Sequence, residues 1–130
     1  MRSNPGILVV DDDGGIQQKL REHLQSAGFS VLEARTWRKA LDLFASEKPI
    51  AVILDMDLAK SEVGGAELTR IFRKSRNYRS PIIIYSASSE RATTALDEGA
   101  SAFVQKPAPV EELVSTLLRL LEKCEVRDGG

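Results

Sequence analysis

Residues 7–13 read ILVVDDD and residues 50–58 read IAVILDMDL, two apolar runs that each lead directly into aspartate. The apolar part of each run is mostly β-branched and contains no polar residue. Such a run is typical of a strand that is covered on both faces, as strands of parallel sheets are. The sequence therefore predicts buried parallel strands at residues 7–10 and 50–54, with the second of them in the middle of the sheet.

The rest of the chain alternates in the same way between short apolar runs and longer amphipathic stretches. Three further strands are predicted at residues 29–32, 82–85 and 102–104. Helices are predicted from about Gly15, after Thr36, around Leu68, after Ser88 or Ser89, and from Val110. Five β/α units with right-handed crossovers fold into a doubly wound parallel sheet with helices on both faces. The predicted fold class is therefore α/β.

The last of these helices has the clearest amphipathic pattern. Apolar residues repeat at helical spacing along one side of it: Val110, Leu113, Val114, Leu117, Leu118 and Leu121. Charged residues occupy most of the other side. This pattern predicts an amphipathic helix with these six residues on its apolar side.

The composition fits one small domain without a strong electrostatic field. The 130 residues are 42% hydrophobic and 28% charged, with 18 Lys and Arg against 19 Asp and Glu. We therefore interpret residues 1–130 as a single domain, with its core at about residues 6–124 and short polar tails. A formal net charge of -1 gives little attraction for nucleic acid, so direct nucleic-acid binding by this chain is not expected.

The sequence also predicts a cytoplasmic protein that does not enter a membrane. Cys124 is the only cysteine, so no internal disulfide can form. The first residues lack the apolar stretch of a signal peptide, and the longest apolar runs are too short to cross a bilayer.

Polar residues follow four of the predicted strands. Asp11 and Asp12 come after the first strand, Asp55 after the third, Ser86 after the fourth and Lys106 after the fifth. The carboxyl ends of parallel strands meet at one edge of the sheet, where ligands of doubly wound folds bind. We therefore expect these side chains to gather in one acidic pocket.

Three neighbouring carboxylates repel one another unless a cation joins them. Mg²⁺ prefers oxygen ligands and completes its shell with water and phosphate oxygens, whereas zinc would need the Cys or His that this set lacks. A carboxylate beside such an ion can attack a phosphoryl group, and Asp55 at the end of the central strand is the best placed. Asp11 and Asp12 would hold the metal, while Lys106 and Ser86 would contact the phosphate oxygens.

Four motifs in this order resemble the successive signatures of the response-regulator receiver domain of two-component signalling. They are ILVVDDD at 7–13, ILDMDL at 53–58, IIIYSAS at 82–88 and FVQKP at 103–107, and together they span nearly the whole chain. The resemblance implies a flavodoxin-like, five-stranded sheet of order 2-1-3-4-5. It also implies Asp55 as phosphoacceptor and a Mg²⁺ ion held by Asp11, Asp12, Asp55 and the backbone carbonyl of Asp57.

The same resemblance assigns residues to the switch that responds to phosphate. Ser86 takes the place of the switch hydroxyl, Lys106 that of the phosphate-binding lysine, and Phe103 that of the aromatic switch residue. Pro107 stands where the family usually has a cis peptide bond. Ala108 stands where an aromatic residue is common.

The implied function is that of a phosphoacceptor signalling domain in a two-component phosphorelay, not an enzyme. Asp55 would accept a phosphoryl group from a histidine kinase or phosphotransfer protein, with only self-phosphorylation and slow autodephosphorylation as its chemistry. The face made by the fourth and fifth β/α units would switch and bind an output protein or a second copy of the chain.

One segment departs from the family pattern. Ala59 stands where a proline is usual four residues after the phosphoacceptor, and Gly64-Gly65 comes later than the usual glycine. The loop after Asp55 is therefore predicted to be about two residues longer than usual, by comparison with the family.

Other interpretations of the same residues remain open. Asp55-Met56-Asp57 after an apolar strand also resembles the nucleophile motif of haloacid-dehalogenase phosphatases, although that motif normally follows the first strand. A pseudo-receiver that binds partners without phosphorylation is a further class. Asp11 and Asp12 could instead cap a helix, because carboxylates are favourable at helix N-termini.

Overall fold

Strands and helices alternate along the part of the chain that the computed structural model describes, residues 5–56 and 64–129. The strands are β1 Gly6–Val10, β2 Ser30–Ala34, β3 Ala51–Leu54, β4 Ile82–Ser86 and β5 Ala102–Gln105. The helices are α1 Gly14–Ser26, α2 Trp37–Glu47, α3 Gly65–Lys74, α4 Ser89–Asp97 and α5 Val110–Gly129, and a short 3-10 turn, Ser75–Asn77, follows α3. Thr36 caps α2 and Ser88 caps α4, as predicted.

The strands form one parallel sheet of order β2-β1-β3-β4-β5, which confirms the predicted doubly wound, flavodoxin-like topology. The register aligns the carboxyl ends of the central strands, because Val10 is paired with Ala34 on one side and Leu54 on the other. The residues that follow β1 and β3 therefore emerge side by side at one edge of the sheet.

Both faces of the sheet are covered by helices, and successive strand residues point into opposite cores. Val52 and Leu54 belong to the core on the side of α2, α3 and α4, where the rings of Phe44 and Phe72 stack with centroids 4.3 Å apart. Ile53 belongs to the core on the side of α1 and α5. All residues of β3 are buried, as the uninterrupted apolar run predicted.

The second strand lies further along the chain than predicted, from Ser30 to Ala34 and not at 29–32. The turn after α1 continues through Phe29, whose N–H donates to the carbonyl of Leu24. At its far end β2 continues through Glu33, which forms an ion pair with Arg21 of α1. A charged residue at this position ended the apolar run in the sequence but does not end the strand.

Leu118 belongs to the predicted apolar side of α5 but is 41% exposed. Its neighbour Leu117 is fully buried, and one residue corresponds to about 100° of rotation around a helix. Leu118 therefore lies at the edge of the apolar face of α5, where the sheet no longer covers it. Among the described residues, no helix is both long enough and apolar enough to cross a membrane.

Candidate functional site

Three aspartates meet at the carboxyl edge of the sheet. Asp11 follows β1, Asp55 follows β3, and each of Asp11, Asp12 and Asp55 offers a carboxylate oxygen within 4.8 Å of the others. Asp11 and Asp55 are only 3% and 6% exposed. The predicted acidic pocket is therefore present, and its like charges are partly withdrawn from water.

Lys106 provides the positive charge of this pocket. Its Nζ lies 2.9 Å from Oδ2 of Asp11 and 3.6 Å from Oδ2 of Asp55. Burial lowers the pKa of Lys106, but its hydrogen bond to Asp11 and the charges of Asp11 and Asp55 raise the pKa more, so the net shift is upward. The ammonium group therefore stays protonated between the two carboxylates.

The backbones of Asp11 and Asp55 are each fixed by a hydrogen bond to the end of a neighbouring strand. The N–H of Asp11 donates to the carbonyl of Ala34 at 3.0 Å, and the N–H of Asp55 donates to the carbonyl of Val10 at 2.9 Å. The N–H of Asp13 donates to Oδ1 of Asp11 at 2.9 Å. The carboxylate of Asp11 is thus held from its own loop as well as by Lys106.

The helix cap is Asp13, a residue to which the sequence interpretation gave no role. Its carboxylate accepts hydrogen bonds from the N–H groups of Gly15 and Ile16 at the start of α1. The alternative in which Asp11 and Asp12 cap this helix is therefore wrong for the observed arrangement. The sequence did carry the signal, since an aspartate directly before the first helical residue is a strong N-cap.

Gln17 is a second residue that the sequence interpretation missed. It lies in the first turns of α1, is 1% exposed, and uses Nε2 to reach the carbonyls of Val9, Asp11 and Ala34 at 2.9–3.2 Å. These carbonyls belong to the ends of β1 and β2 and to the loop that carries Asp11 and Asp12. Gln17 therefore ties that loop to both strands.

We expect Gln17→Met to lower the free energy of unfolding by about 1 kcal/mol, because buried carbonyls lose a donor while the side chain keeps its length. The loss is moderated because the buried Oε1 of Gln17 has no hydrogen-bond partner among the described residues. Urea unfolding followed by the fluorescence of half-buried Trp37 measures the change. Gln18→Met on the exposed side of the same helix is the control, and an equal effect of both substitutions would contradict the prediction.

Ser86 is the last residue of β4, where the sequence placed it just after that strand, and Phe103 lies on β5 as predicted. Ser86 ends β4 and is fully buried, its Oγ accepts from the N–H of Ser88 at 3.3 Å, and its carbonyl accepts from the N–H of Lys106 at 3.0 Å. Phe103 is half-buried on β5, paired with Ile84, and packs against the core on the α2–α4 side. Ser86 is thus directly linked to the strand end that carries Lys106, while the switch roles of both residues stay predictions.

The loop after Asp55 is described only at its two ends. Asp57 and Ala59 lie outside the described residues, so the predicted carbonyl ligand has no structural account. At the far end, Gly65 begins α3 so close to the pocket that a Cβ on it would lie 3.1 Å from the carbonyl oxygen of Asp55. The first turn of α3 therefore packs directly against the backbone of the acidic site.

The donor atoms of the pocket suit a hard divalent cation. Within residues 5–56 and 64–129, the carboxylates of Asp11, Asp12 and Asp55 converge without a histidine or cysteine among them. Oxygen donors of this kind fit Mg²⁺, which prefers carboxylate, water and phosphate ligands. The pocket can hold such an ion, and Lys106 already compensates part of the same negative charge.

Comparison with known proteins gives a consistent result. A sequence model of the family described as response regulator receiver domain matches residues 7–118. Response regulator MprA of Mycolicibacterium vanbaalenii is 38% identical over 126 residues, which are 95% of this chain and 53% of that protein. MprA of Mycobacterium bovis is 35% identical over 126 residues, which are 95% of this chain and 54% of that protein. The chain spans about half the length of the curated relatives it matches.

Solved structures show the same similarity. The CheY-like response regulator receiver domain protein of Methanospirillum hungatei superposes with a TM-score of 0.87 at 27% identity, over 96% of this chain and 99% of that one. NtrX of Brucella abortus superposes with a TM-score of 0.87 at 27% identity, over 98% of this chain and 29% of that one. The similarity therefore covers nearly the whole of one solved chain and less than a third of the other.

Proposed function

The chain belongs to the response regulator receiver domain family, the phosphoacceptor module of two-component signalling, and we propose that its phosphoacceptor is Asp55. The observation that carries this proposal is the position of the Lys106 ammonium, 2.9 Å from Asp11 and 3.6 Å from Asp55. A cation at this place can contact the oxygens of a phosphoryl group on Asp55.

The carboxylate of Asp11 is held from two sides. One of its oxygens accepts a hydrogen bond from the N–H of Asp13, and the other accepts one from Lys106. Both contacts draw electron density from the carboxylate and fix its direction. Asp11 and Asp12 are better suited to holding a cation, together with Asp55 and the backbone carbonyl of Asp57.

In the proposed reaction, a carboxylate oxygen of Asp55 attacks the phosphorus of a phosphohistidine on a histidine kinase or phosphotransfer protein. The new P–O bond forms as the P–N bond breaks. The electron pair of the P–N bond stays on the imidazole nitrogen, which takes up a proton. Lys106 and the hydroxyl of Ser86 stabilise the charge on the phosphoryl oxygens. Mg²⁺, when bound, neutralises the negative charge of the carboxylates and the phosphoryl group.

The consequence of phosphorylation would be a change at the fourth and fifth β/α units. A phosphoryl group adds negative charge and acceptor oxygens beside Ser86 and Lys106, which belong to those units. Ser86 would turn toward the phosphate, and Phe103 on the neighbouring strand would follow. The face of α4, β5 and α5 would then bind an output protein or a second copy of this chain.

This function is that of a cytoplasmic signalling module. Phosphorylation of its own side chain and slow autodephosphorylation would be its only chemistry, with no turnover of free phosphoesters. We propose that it does not bind nucleic acid itself, since its 18 basic and 19 acidic residues nearly balance. Release of phosphate from generic phosphoesters at a steady rate would instead support the phosphatase alternative.

Mapping of the phosphoryl group tests the assignment. The chain is incubated with phosphoramidate and Mg²⁺, and peptides carrying a hydroxylamine-sensitive phosphate are identified by mass spectrometry. We expect one phosphoryl group on the peptide that contains Asp55, none in Asp55→Asn, and normal labelling in Asp42→Asn, a change of the same kind on the exposed surface of α2. Label on another residue would overturn the assignment, and no label at all would favour a pseudo-receiver.

A further inference from the structure

Tyr85 contacts both sides of the turn that carries Lys106. It lies on β4 directly before Ser86, faces the core on the α1 and α5 side, and is 5% exposed. Its hydroxyl donates to the carbonyl of Ala108 at 2.7 Å. The centroid of its ring lies 5.3 Å from Nζ of Lys106.

These two contacts hold the turn in different ways. The hydroxyl fixes the backbone at Ala108, two residues after Lys106, and the negative face of the ring attracts the ammonium group itself. Burial is the largest influence on the pKa of Tyr85 and raises it, so the phenol remains a hydrogen-bond donor at neutral pH.

On the side away from Asp11 and Asp55, the turn borders open space. A cavity of about 520 Å³ borders Tyr85 and residues 106–111, with Ile16, Lys19 and His23 of α1 on its other side. A side chain next to such a space keeps several rotamers unless specific contacts select one of them. Two contacts act on the Lys106 ammonium group next to this space: the 2.9 Å hydrogen bond to Asp11 and the ring of Tyr85.

We propose that Tyr85 is a positioning residue, which acts through Lys106 and sets the place of the ammonium group over Asp55. This inference rests on the proposed function, because it matters only if Lys106 contacts a phosphoryl group on Asp55. It predicts that loss of the Tyr85 hydroxyl weakens binding of a phosphoryl group but leaves the metal site intact.

The test compares two tyrosines with matched hydrogen bonds. The hydroxyl of Tyr78 donates to the carbonyl of Pro49 at 2.8 Å. Pro49 precedes the amino end of β3, at the opposite edge of the sheet from the pocket. Tyr85→Phe and Tyr78→Phe therefore each remove one hydrogen bond from a hydroxyl group to a backbone carbonyl. Tyr85→Leu additionally removes the ring beneath Lys106. Titration calorimetry measures the affinity for Mg²⁺ alone and then for beryllium fluoride, a mimic of the phosphoryl group, at saturating Mg²⁺.

We expect Tyr85→Phe to weaken beryllium fluoride binding about 5-fold, the equivalent of one net hydrogen bond, and Tyr85→Leu to weaken it further. Affinity for Mg²⁺ should be no weaker in either variant, since Tyr85 does not belong to the carboxylate cluster. Tyr78→Phe should leave both affinities as in the wild type.

The outcomes separate this inference from the proposed function. If wild-type protein does not bind beryllium fluoride with Mg²⁺, the proposed function fails. If wild-type protein binds it and Tyr85→Phe behaves like Tyr78→Phe, only the positioning role is overturned. An equal loss of Mg²⁺ and beryllium fluoride affinity in Tyr85→Phe would show general damage to the pocket and would also overturn it.

Discussion

Lys106→Met is expected to lower the rate of phosphorylation by about 100-fold or more, while binding of Mg²⁺ becomes tighter. Both effects have one cause, because the ammonium group lies 2.9 Å from Asp11 and 3.6 Å from Asp55. It supplies positive charge to an incoming phosphoryl group, and it competes with a metal ion for the same carboxylates. Phosphoramidate labelling measures the first effect, and calorimetric titration with Mg²⁺ measures the second.

The expected gain in Mg²⁺ affinity is about 10-fold, since the metal no longer has to displace a cation held by partly buried charges. Without Mg²⁺, the same variant should be less stable than the wild type by about 3 kcal/mol, because the carboxylates lose their partner. Added Mg²⁺ should restore most of that stability, as a ligand of the folded state does.

Lys19→Met is the control for Lys106→Met. Lys19 lies on the exposed side of α1 and borders the same cavity, and among the described residues no ion pair joins it to Asp11, Asp12 or Asp55. Its replacement should leave the labelling rate and the Mg²⁺ affinity nearly unchanged. Weaker Mg²⁺ binding in Lys106→Met would mean that Lys106 supports the metal site instead of competing with it, which would contradict the argument.

The sheet and the position of its polar edge could be predicted from sequence, because the apolar runs fit few kinds of secondary structure. The apolar runs around Val9 and Ile53 carry no polar residue, so only strands buried on both faces fit them. Once the strands are parallel, Asp11, Asp55 and Lys106 must emerge at the same edge. The roles of single residues depended on the family resemblance, since pattern alone cannot tell a nucleophile from a ligand.

Features that depend on tertiary contacts were not predicted. Gln17 has the composition of an ordinary polar helix residue, and only the adjacent ends of β1 and β2 make it a buried donor. Tyr85 reads as one more apolar strand residue until the turn at Ala108 is placed above its hydroxyl. Leu118 fitted a helical period but lies past the edge of the sheet. Spacing along the chain does not contain these distances.

Sequence also does not distinguish the two glycines at the start of α3, the N-cap Gly64 and the first helical residue Gly65. From sequence alone the two glycines are equivalent, since either one permits a tight turn. In the structure the two are not equivalent. No described atom lies within 4 Å of a Cβ placed on Gly64, whereas a Cβ on Gly65 would lie 2.8 Å from Sδ and 3.0 Å from Cα of Met56. Gly65 is therefore needed for close packing against the residue that follows Asp55.

Gly65→Ala is accordingly expected to lower the free energy of unfolding by about 2–3 kcal/mol, the upper part of the usual range for an added methyl group without space. The backbone of Met56 and the carbonyl of Asp55 would have to move by several tenths of an ångström, because backbone atoms cannot turn aside as a flexible side chain does. A displaced nucleophile reacts more slowly, so we expect phosphoramidate labelling to fall by about 10-fold or more. Urea unfolding and the labelling rate measure the two effects.

Gly64→Ala is the matched control, one residue earlier. Gly64 is the N-cap of α3 with φ -82 and ψ 172, a conformation open to alanine. The substitution loses the preference for glycine over alanine at an N-cap, but it also restricts the unfolded chain, so the net change should stay within about 0.5 kcal/mol. Its labelling rate should match the wild type. If both substitutions slow labelling equally, the glycines act through the flexibility of the loop, and close packing of α3 on the site is not what fixes Asp55.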